Sequence, residues 1–253
     1  MKSFKLIGRG PNKVILFPGL LGTRDAFDEM LAYADLDRFQ YAVGEYRGYG
    51  ESRGEPGLYT LREVVVDAVR LVDYLGWPTF AAAGHSLGGL AAQMLAIALP
   101  QRVCAIVLIA GLAASGASRD PGRRQWLQEL ADSRQRREEL VALGAGGLCA
   151  PAMARAVVDR SWGRIDGRAL VSYAADAAQT DVHEQVRELP APLLAIVGEK
   201  DSNCSAAAAR ETTLAWYRQA TLEVLPGVGH YPPLEAPVAT VALLERHVAA
   251  ATG

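Results

Sequence analysis

Short apolar runs recur along the chain and end in glycine, proline or acidic residues. Residues 14–17, 103–110 and 193–197 are continuous apolar runs without alternation. Such runs are typical of strands buried on both faces of a parallel sheet. We expect further strands at residues 41–46 and 221–225. A sixth run, residues 79–83, precedes a glycine-rich turn, and the short segment 4–7 is a candidate edge strand.

Helical patterns separate these runs. Thr60 followed by Glu63 fits a capping box that opens an amphipathic helix, and Gly76 is placed to end it. Other helices are predicted to begin near Asp25 and to span about 90–99, 205–218 and 236–250. Strands that alternate with helices indicate an α/β fold with a doubly wound, mostly parallel sheet.

The middle of the chain has a different pattern. Residues 113–189 contain no convincing strand and several basic, helical-looking runs. Within residues 123–143 the apolar stripe is interrupted, which fits two short helices or one partly exposed helix. We therefore predict a helical cap inserted at 113–189 into a core formed by residues 1–112 and 190–253.

Composition excludes several classes of protein. Of 253 residues, half are hydrophobic and the formal net charge is −2, which favours neither a nucleic acid nor a membrane surface as a partner. Cys104, Cys149 and Cys204 are too few and too scattered for a disulfide framework or a metal site, and no cofactor is expected. With no signal peptide or apolar run long enough to span a membrane, we expect a soluble cytoplasmic protein; the oligomeric state stays open.

The glycine-rich turn carries the strongest chemical signal. Gly84, Ser86 and Gly88 form a G-x-S-x-G sequence between the predicted strand 79–83 and a small-residue helix. A G-x-S-x-G alone is short enough to arise by chance, but between a strand and a helix it indicates a nucleophile elbow, which lifts a serine hydroxyl above the sheet. The glycines remove side chains that would collide in so tight a turn.

A serine nucleophile needs a base, and the base needs an orienting acid. Asp201 follows the strand at 193–197, and His230 follows the strand at 221–225. The order Ser86, Asp201, His230 is the order of an elbow-type hydrolase. Each residue taken singly has an ordinary interpretation, as a turn, a helix cap or a loop histidine, but the three together at strand ends favour a triad.

Other residues compete for these roles. Glu199 is the rival acid, two residues before Asp201. Among the other histidines, His85 sits beside the nucleophile and is expected to be structural, and His183 and His247 are expected to be solvated. The best-matched acid remains Asp201.

A tetrahedral intermediate requires backbone N–H groups that hold its oxyanion. We predict the amide of Leu87, directly after the nucleophile at the helix start, as one donor. The second donor is expected from the loop after residues 14–17, at Leu20, although the glycines of this loop are equally compatible with a simple turn.

Four motifs together resemble the α/β-hydrolase superfamily over nearly the whole chain. Residues 84–89 are similar to its elbow, residues 47–52 to its R/P-G-x-G-x-S loop, residues 198–201 to its acid turn, and residues 229–237 to the G-H-x-x-x-x-E-x-P run around its histidine. The resemblance implies the α/β-hydrolase fold, and Ser86 argues against the dehalogenases and epoxide hydrolases of the superfamily, which have aspartate at the elbow.

The chain departs from the superfamily pattern at two positions. Pro18 and Gly19 stand where the family often has His-Gly, and the acid turn continues through Cys204 rather than into a proline. The first departure leaves the backbone donor intact; the second leaves the geometry around Asp201 open.

The leading hypothesis is a serine hydrolase that cleaves a small carboxylic ester or lactone through an acyl-enzyme. A thioesterase, a C–C bond hydrolase or an acyltransferase would use the same triad, and the fold also serves as a small-molecule receptor or in cofactor-free oxygen or peroxide chemistry. Aromatic residues that either line an acyl pocket or pack the cap against the core are Trp126, Trp162, Tyr173 and Tyr231. A basic run at 134–137 either meets an anionic group or is a solvated helix face.

Overall fold

The structure, a computed structural model, describes residues 3–117, 121–145 and 150–252. Its strands are β1 (Phe4–Gly8), β2 (Asn12–Phe17), β3 (Phe39–Gly44), β4 (Phe80–His85), β5 (Val103–Ile109), β6 (Leu193–Gly198) and β7 (Ala220–Leu225). Its helices are α1 (Asp28–Leu31), α2 (Leu61–Tyr74), α3 (Leu87–Ala98), α4 (Pro121–Glu129), α5 (Arg134–Gly144), α6 (Ala150–Ser161), α7 (Gly167–Gln179), α8 (His183–Val186), α9 (Ala206–Glu211), α10 (Thr213–Trp216), α11 (Pro232–Glu235) and α12 (Pro237–Thr252).

The seven strands form one sheet in the order β1-β3-β2-β4-β5-β6-β7. Only β1 runs antiparallel, at the edge next to β3, and the remaining neighbours are parallel. The predicted edge strand and the mostly parallel sheet are thus confirmed. Because parallel strands all end at the same edge, the loops after β2, β4, β6 and β7 converge there.

Helices cover both faces of the sheet, as continuous apolar strands require. Apolar side chains of α2 and α3 pack on one face, and those of α1 and α12 pack on the other. Helix α3 is the most deeply enclosed: most of its residues from Leu87 to Ala96 are buried. This explains why its sequence is small and apolar on all sides.

Helix α2 begins as predicted, with one change in the capping contacts. The Thr60 hydroxyl accepts a hydrogen bond from the amide of Glu63, at 3.3 Å. The Glu63 carboxylate accepts its bond from the amide of Tyr59, at 2.7 Å, rather than from Thr60. Gly76 follows the helix with a φ of +64°, the left-handed conformation expected after a helix end.

Helices α4 to α8, called the inserted helices below, lie between β5 and β6. The interrupted stripe at 123–143 resolves into two helices, α4 and α5, because Ser133 caps the second through its contact with the amide of Arg136. The predicted helix at 205–218 is broken at Thr212, whose φ and ψ of −116° and −84° are not helical.

None of the helices in the described ranges is both long and apolar enough to cross a bilayer. Cys104 and Cys204 are free thiols, whereas Cys149 lies outside the described residues.

Candidate active site

The turn between β4 and α3 holds Ser86 in a strained conformation. Its φ of 53° and ψ of −117° are rare for a residue with a side chain. A Cβ on Gly84 would lie 2.1 Å from the carbonyl oxygen of Gly88, and one on Gly88 would lie 2.1 Å from that of Phe17. The two glycines of the G-x-S-x-G sequence are therefore required by backbone contacts on either side of the serine.

Ser86, Asp201 and His230 meet at the carboxyl edge of the sheet. The Nε2 atom of His230 lies 2.9 Å from the Ser86 Oγ, and its Nδ1 lies 2.8 Å from Oδ2 of Asp201. These are hydrogen-bond distances at both ring nitrogens. The imidazole thus bridges the Ser86 hydroxyl and the Asp201 carboxylate, which lie 115 positions apart in the sequence.

The second oxygen of Asp201 is also occupied. Its Oδ1 accepts the amides of Asn203, at 2.8 Å, and Cys204, at 3.0 Å. Burial by itself would raise the pKa of this carboxyl, but His230 and the two amides hold it below its usual range. Asp201 is therefore an ionised, fixed acceptor for His230.

The environment of His230 makes its ring a stronger base. Burial disfavours the imidazolium, but the hydrogen bonds and charges of Asp201 and Cys204 outweigh it and raise the pKa of His230. The ring is held within a loop whose flanking amides, those of Gly229 and Tyr231, donate to the two oxygens of Glu235 at 2.7 and 2.8 Å.

Two further contacts fix His230 through its own backbone. Its amide donates to the carbonyl of Gly144 at the end of α5, at 2.7 Å. Its carbonyl lies 2.7 Å from Nε2 of His85. Burial, followed by the nearby His230, lowers the pKa of His85 to about 3, so His85 is neutral and donates its Nε2 proton to that carbonyl.

The loop after β2 lies directly over the elbow. A Cβ on Gly19 would come within 2.7 Å of the His85 ring and 3.4 Å of the Ser86 Cβ. Tyrosine hydroxyls hold this loop from below: Tyr46 donates to the carbonyl of Pro18 at 2.6 Å, and Tyr49 donates to that of Leu20 at 2.9 Å. The carbonyls of the loop thus point into the protein.

Leu20 and Leu87 are the positions expected to supply oxyanion donors. Leu20 lines the cleft beside Ser86, and Leu87 is the first residue of α3. Neither amide donates a backbone hydrogen bond within the part of the chain that the structure describes. Both N–H groups are therefore unengaged there.

The inserted helices form part of the lining of the cleft at Ser86. Core residues on its wall include Leu20, His85 and Tyr231, and its apolar roof consists of Leu127 in α4, Leu140 in α5 and Val157 in α6. Arg160 is a charged residue at its border and forms an ion pair with Glu29. The lining is thus largely apolar, with few polar groups.

Of the four aromatic residues considered for the pocket, only Tyr231 lines the cleft. Tyr173 is fully buried among other tyrosines, and its hydroxyl donates to the carbonyl of Arg47. Trp126 packs against the core, and Trp162 lies 4.8 Å from the Arg137 guanidinium. The positions of these three fit the packing alternative rather than an acyl pocket.

The basic run at 134–137 divides between two environments. Arg134 and Arg136 form ion pairs with acidic side chains on the surface. Arg137 is buried and donates to the carbonyls of Leu130 and Ala131. The run therefore tethers helices rather than facing the cleft.

The rival residues lie elsewhere. Glu199 accepts the amide of Gly227 at 2.8 Å and is half exposed. His183 pairs with Asp181 at the surface, and His247 contacts the carbonyl of Pro192. Among the hydrogen bonds and ion pairs of the described residues, none joins these three side chains to Ser86 or His230.

Sequence reasoning gave no role to several contributors. On sequence alone Glu235 is only a member of the 229–237 motif, although its spacing of five residues from His230 is a usable signal. An apolar or small residue on a helix has the same sequence pattern whether it faces a cleft or a core. The sequence therefore does not identify the site contacts of Gly144, Leu127, Leu140 and Val157.

Comparison with known proteins agrees with this geometry. The family model described as the alpha/beta hydrolase fold matches residues 12–237. The chain belongs to the α/β-hydrolase fold family. A 3-oxoadipate enol-lactonase from Acinetobacter baylyi is 25% identical over 204 residues, which cover 79% of this chain and 75% of the relative.

Other relatives match shorter segments or the fold alone. A putative carbamate hydrolase from Caulobacter vibrioides is 33% identical over 100 residues, 39% of this chain and 37% of the relative. An esterase from Thermogutta terrifontis superposes with a TM-score of 0.85 at 20% identity, covering 99% of this chain and 94% of that one. An enol-lactonase from Burkholderia xenovorans superposes with a TM-score of 0.83 at 18% identity, covering 98% and 96%. The family match and the superposed structures agree on the α/β-hydrolase fold.

Proposed function

We propose that the protein is a serine hydrolase that cleaves a small carboxylic ester or lactone through an acyl-enzyme. The observation that carries the proposal is the continuous hydrogen-bonded line from the Ser86 hydroxyl through His230 to Asp201, with contacts of 2.9 and 2.8 Å. A hydroxyl, a base and an orienting carboxylate in this arrangement are the parts that acyl transfer by serine requires.

In the first half-reaction the Ser86 Oγ attacks the substrate carbonyl while Nε2 of His230 takes its proton. The ring becomes an imidazolium, which the ionised Asp201 stabilises at Nδ1. The same proton is then given to the leaving alcohol, or to the ring oxygen of a lactone, and the acyl group stays on Ser86. Water activated by His230 releases the acid and restores the enzyme.

We assign the amides of Leu20 and Leu87 to the oxyanion. Support comes from their lack of other hydrogen-bond acceptors among the described residues and from the position of Leu87 at the start of α3, where the helix dipole favours negative charge. The tyrosine contacts fix the carbonyls of Pro18 and Leu20 and so orient the loop, in which the Leu20 N–H has no acceptor among the described residues.

We further propose that residues 113–189 act as a cap that selects the substrate. The roof residues Leu127, Leu140 and Val157 are apolar and come from three different inserted helices, which favours a compact, uncharged acyl or lactone group. The relatives named as lactonase and esterase are consistent with this class of substrate.

Turnover of a short p-nitrophenyl ester tests the proposal. Wild-type protein should hydrolyse the ester and label on Ser86 with a fluorophosphonate, and Ser86→Ala should lose both with its circular dichroism unchanged. A panel of lactones, thioesters and esters of graded acyl length then separates the related activities. Absence of both turnover and labelling in folded wild-type protein would leave a receptor or a cofactor-free oxygen enzyme as the better hypothesis.

A further inference from the structure

A thiol lies beside the buried His230 and Asp201 pair. Cys204 Sγ, an Asp201 carboxylate oxygen and a ring nitrogen of His230 all lie within 4.8 Å of one another. The exposed fractions of the three residues are 3% for Asp201, 8% for Cys204 and 8% for His230. The acid–base mechanism uses the carboxylate and the imidazole but has no role for the thiol.

These three side chains provide the donor set of a zinc site. Zinc bonds are about 2.3 Å to thiolate sulfur, about 2.0–2.1 Å to imidazole nitrogen and about 2.0–2.2 Å to carboxylate oxygen, in a tetrahedron that places neighbouring ligands roughly 3.5 Å apart. The separation of His230 Nδ1 from Asp201, 2.8 Å, has to widen slightly, and the separations to sulfur have to stay or shrink. The largest closure that the 4.8 Å limit leaves is about 1.3 Å, shared between two side chains.

The charges also balance. A thiolate and a carboxylate cancel the two positive charges of the ion, so the occupied site carries no net charge in a buried environment, where an uncompensated charge is costly. The thiol proton is released when the ion binds, because the ligand is the thiolate.

A second cavity reaches the cluster at Cys204. Asn203 and Cys204 line this cavity of about 240 Å³, together with Ser205 and Thr212. One water needs only about 10–15 Å³ of such space, so a partly hydrated cation fits. The wall of this cavity, among the described residues, carries no Lys or Arg that would repel a cation.

We propose that Asp201, Cys204 and His230 form a binding site for a thiophilic divalent cation such as Zn²⁺, and that its occupation switches off the base at Ser86. The ion binds Nδ1 of His230 in place of the proton now shared with Asp201. A neutral imidazole bound to metal through Nδ1 carries its proton on Nε2. Ser86 then faces a donor instead of an acceptor, and its own proton has no base to accept it.

Binding does not depend on the proposed hydrolase function; only the inhibitory consequence does. The same orientation error in a serine protease, the wrong histidine tautomer, lowers kcat about 10⁴-fold. The site arises from the departure in the acid turn, where the chain has Cys204 three residues after Asp201.

Direct binding is measured first, on Ser86→Ala, which lacks the nucleophile but keeps all three ligands. Titration with CoCl₂ should give one equivalent bound and a thiolate-to-cobalt charge-transfer band in the near ultraviolet, and ZnCl₂ should displace the cobalt. Ser86→Ala/Cys204→Ser should lose the band and weaken the affinity by about 100-fold or more, since even residues behind metal ligands contribute 10–100-fold. Ser86→Ala/Cys104→Ser, which alters a half-buried thiol in β5, should bind as its parent.

A second measurement reads the reactivity of the thiol itself. Zinc should protect Cys204 from alkylation by iodoacetamide, as read by peptide mass spectrometry, and EDTA should remove the protection. Wild-type ester turnover should fall at least 100-fold at saturating ZnCl₂ and recover with EDTA, while Cys204→Ser, compared with its own metal-free rate, should lose this response. A cobalt band that survives Cys204→Ser, or zinc that leaves Cys204 fully reactive, would overturn the proposal even if turnover is never detected.

Discussion

Gly144 controls the position of His230 through its lack of a side chain. It ends α5, and its carbonyl accepts the His230 amide at 2.7 Å. A Cβ at Gly144 would lie 2.9 Å from the Cβ of His230 and 3.2 Å from the ring of Tyr231. Gly144→Ala therefore pushes directly on the residue proposed as the base, although it touches neither Ser86 nor Asp201.

The size of the push follows from these contacts. The gap between the two Cβ atoms has to open by about 0.5 Å to reach the ordinary contact distance of 3.4 Å. If α5 moves away instead, the hydrogen bond from the His230 amide to the Gly144 carbonyl is stretched. Such a bond contributes about 1 kcal/mol to stability. Since a misplacement of about 1 Å can cost 10²-fold in rate, we expect kcat for a p-nitrophenyl ester to fall by about 10-fold, with KM little changed.

The assay compares Gly144→Ala with a matched glycine substitution. Gly54→Ala is the control, because a Cβ there meets nothing within 4 Å and Gly54 is not among the residues of positive φ. Both variants are characterised by kcat, KM and thermal unfolding. If Gly144→Ala keeps kcat within twofold of Gly54→Ala, α5 does not hold His230 and the argument from this contact fails.

The other predictions concern groups around the same ring. Asp201→Asn should lower kcat by about 10⁴-fold, by analogy with a serine protease, in a p-nitrophenyl ester assay; near-normal turnover would return the role to Glu199. Glu235→Gln leaves one of the two amides flanking His230 without its acceptor, and should cost about 1–3 kcal/mol in urea unfolding together with a lower kcat; an unchanged midpoint would contradict this. His85 has its pKa lowered to about 3, so the unfolded chain binds a proton that the folded chain does not, and stability is lost as the pH falls from about 6.5 toward 3. His85→Gln should flatten that part of the pH dependence of the unfolding free energy, and parallel curves would refute it.

Local sequence patterns determined most of the secondary structure. Continuous apolar runs located the buried strands to within two residues at each end, because a parallel strand is covered on both faces and needs no alternation. The break at Thr212 was missed: the residues around it favour a helix, and the interruption is visible only in its dihedral angles.

The sequence also determined the chemistry of the elbow. Gly84 and Gly88 were predictable because steric exclusion in a tight turn is local and leaves a spacing in the chain. The order of Ser86, Asp201 and His230 was predictable because residues that follow parallel strands meet at one edge of the sheet.

Only the tertiary structure decided what surrounds the hydrogen-bonded series of Ser86, His230 and Asp201. The contact of Gly144 with His230, the cleft roof at Leu127 and Val157, and the approach of Cys204 to His230 join segments far apart in the sequence. Such contacts depend on how helices pack across the sheet, and packing leaves no spacing by which a single sequence could reveal them.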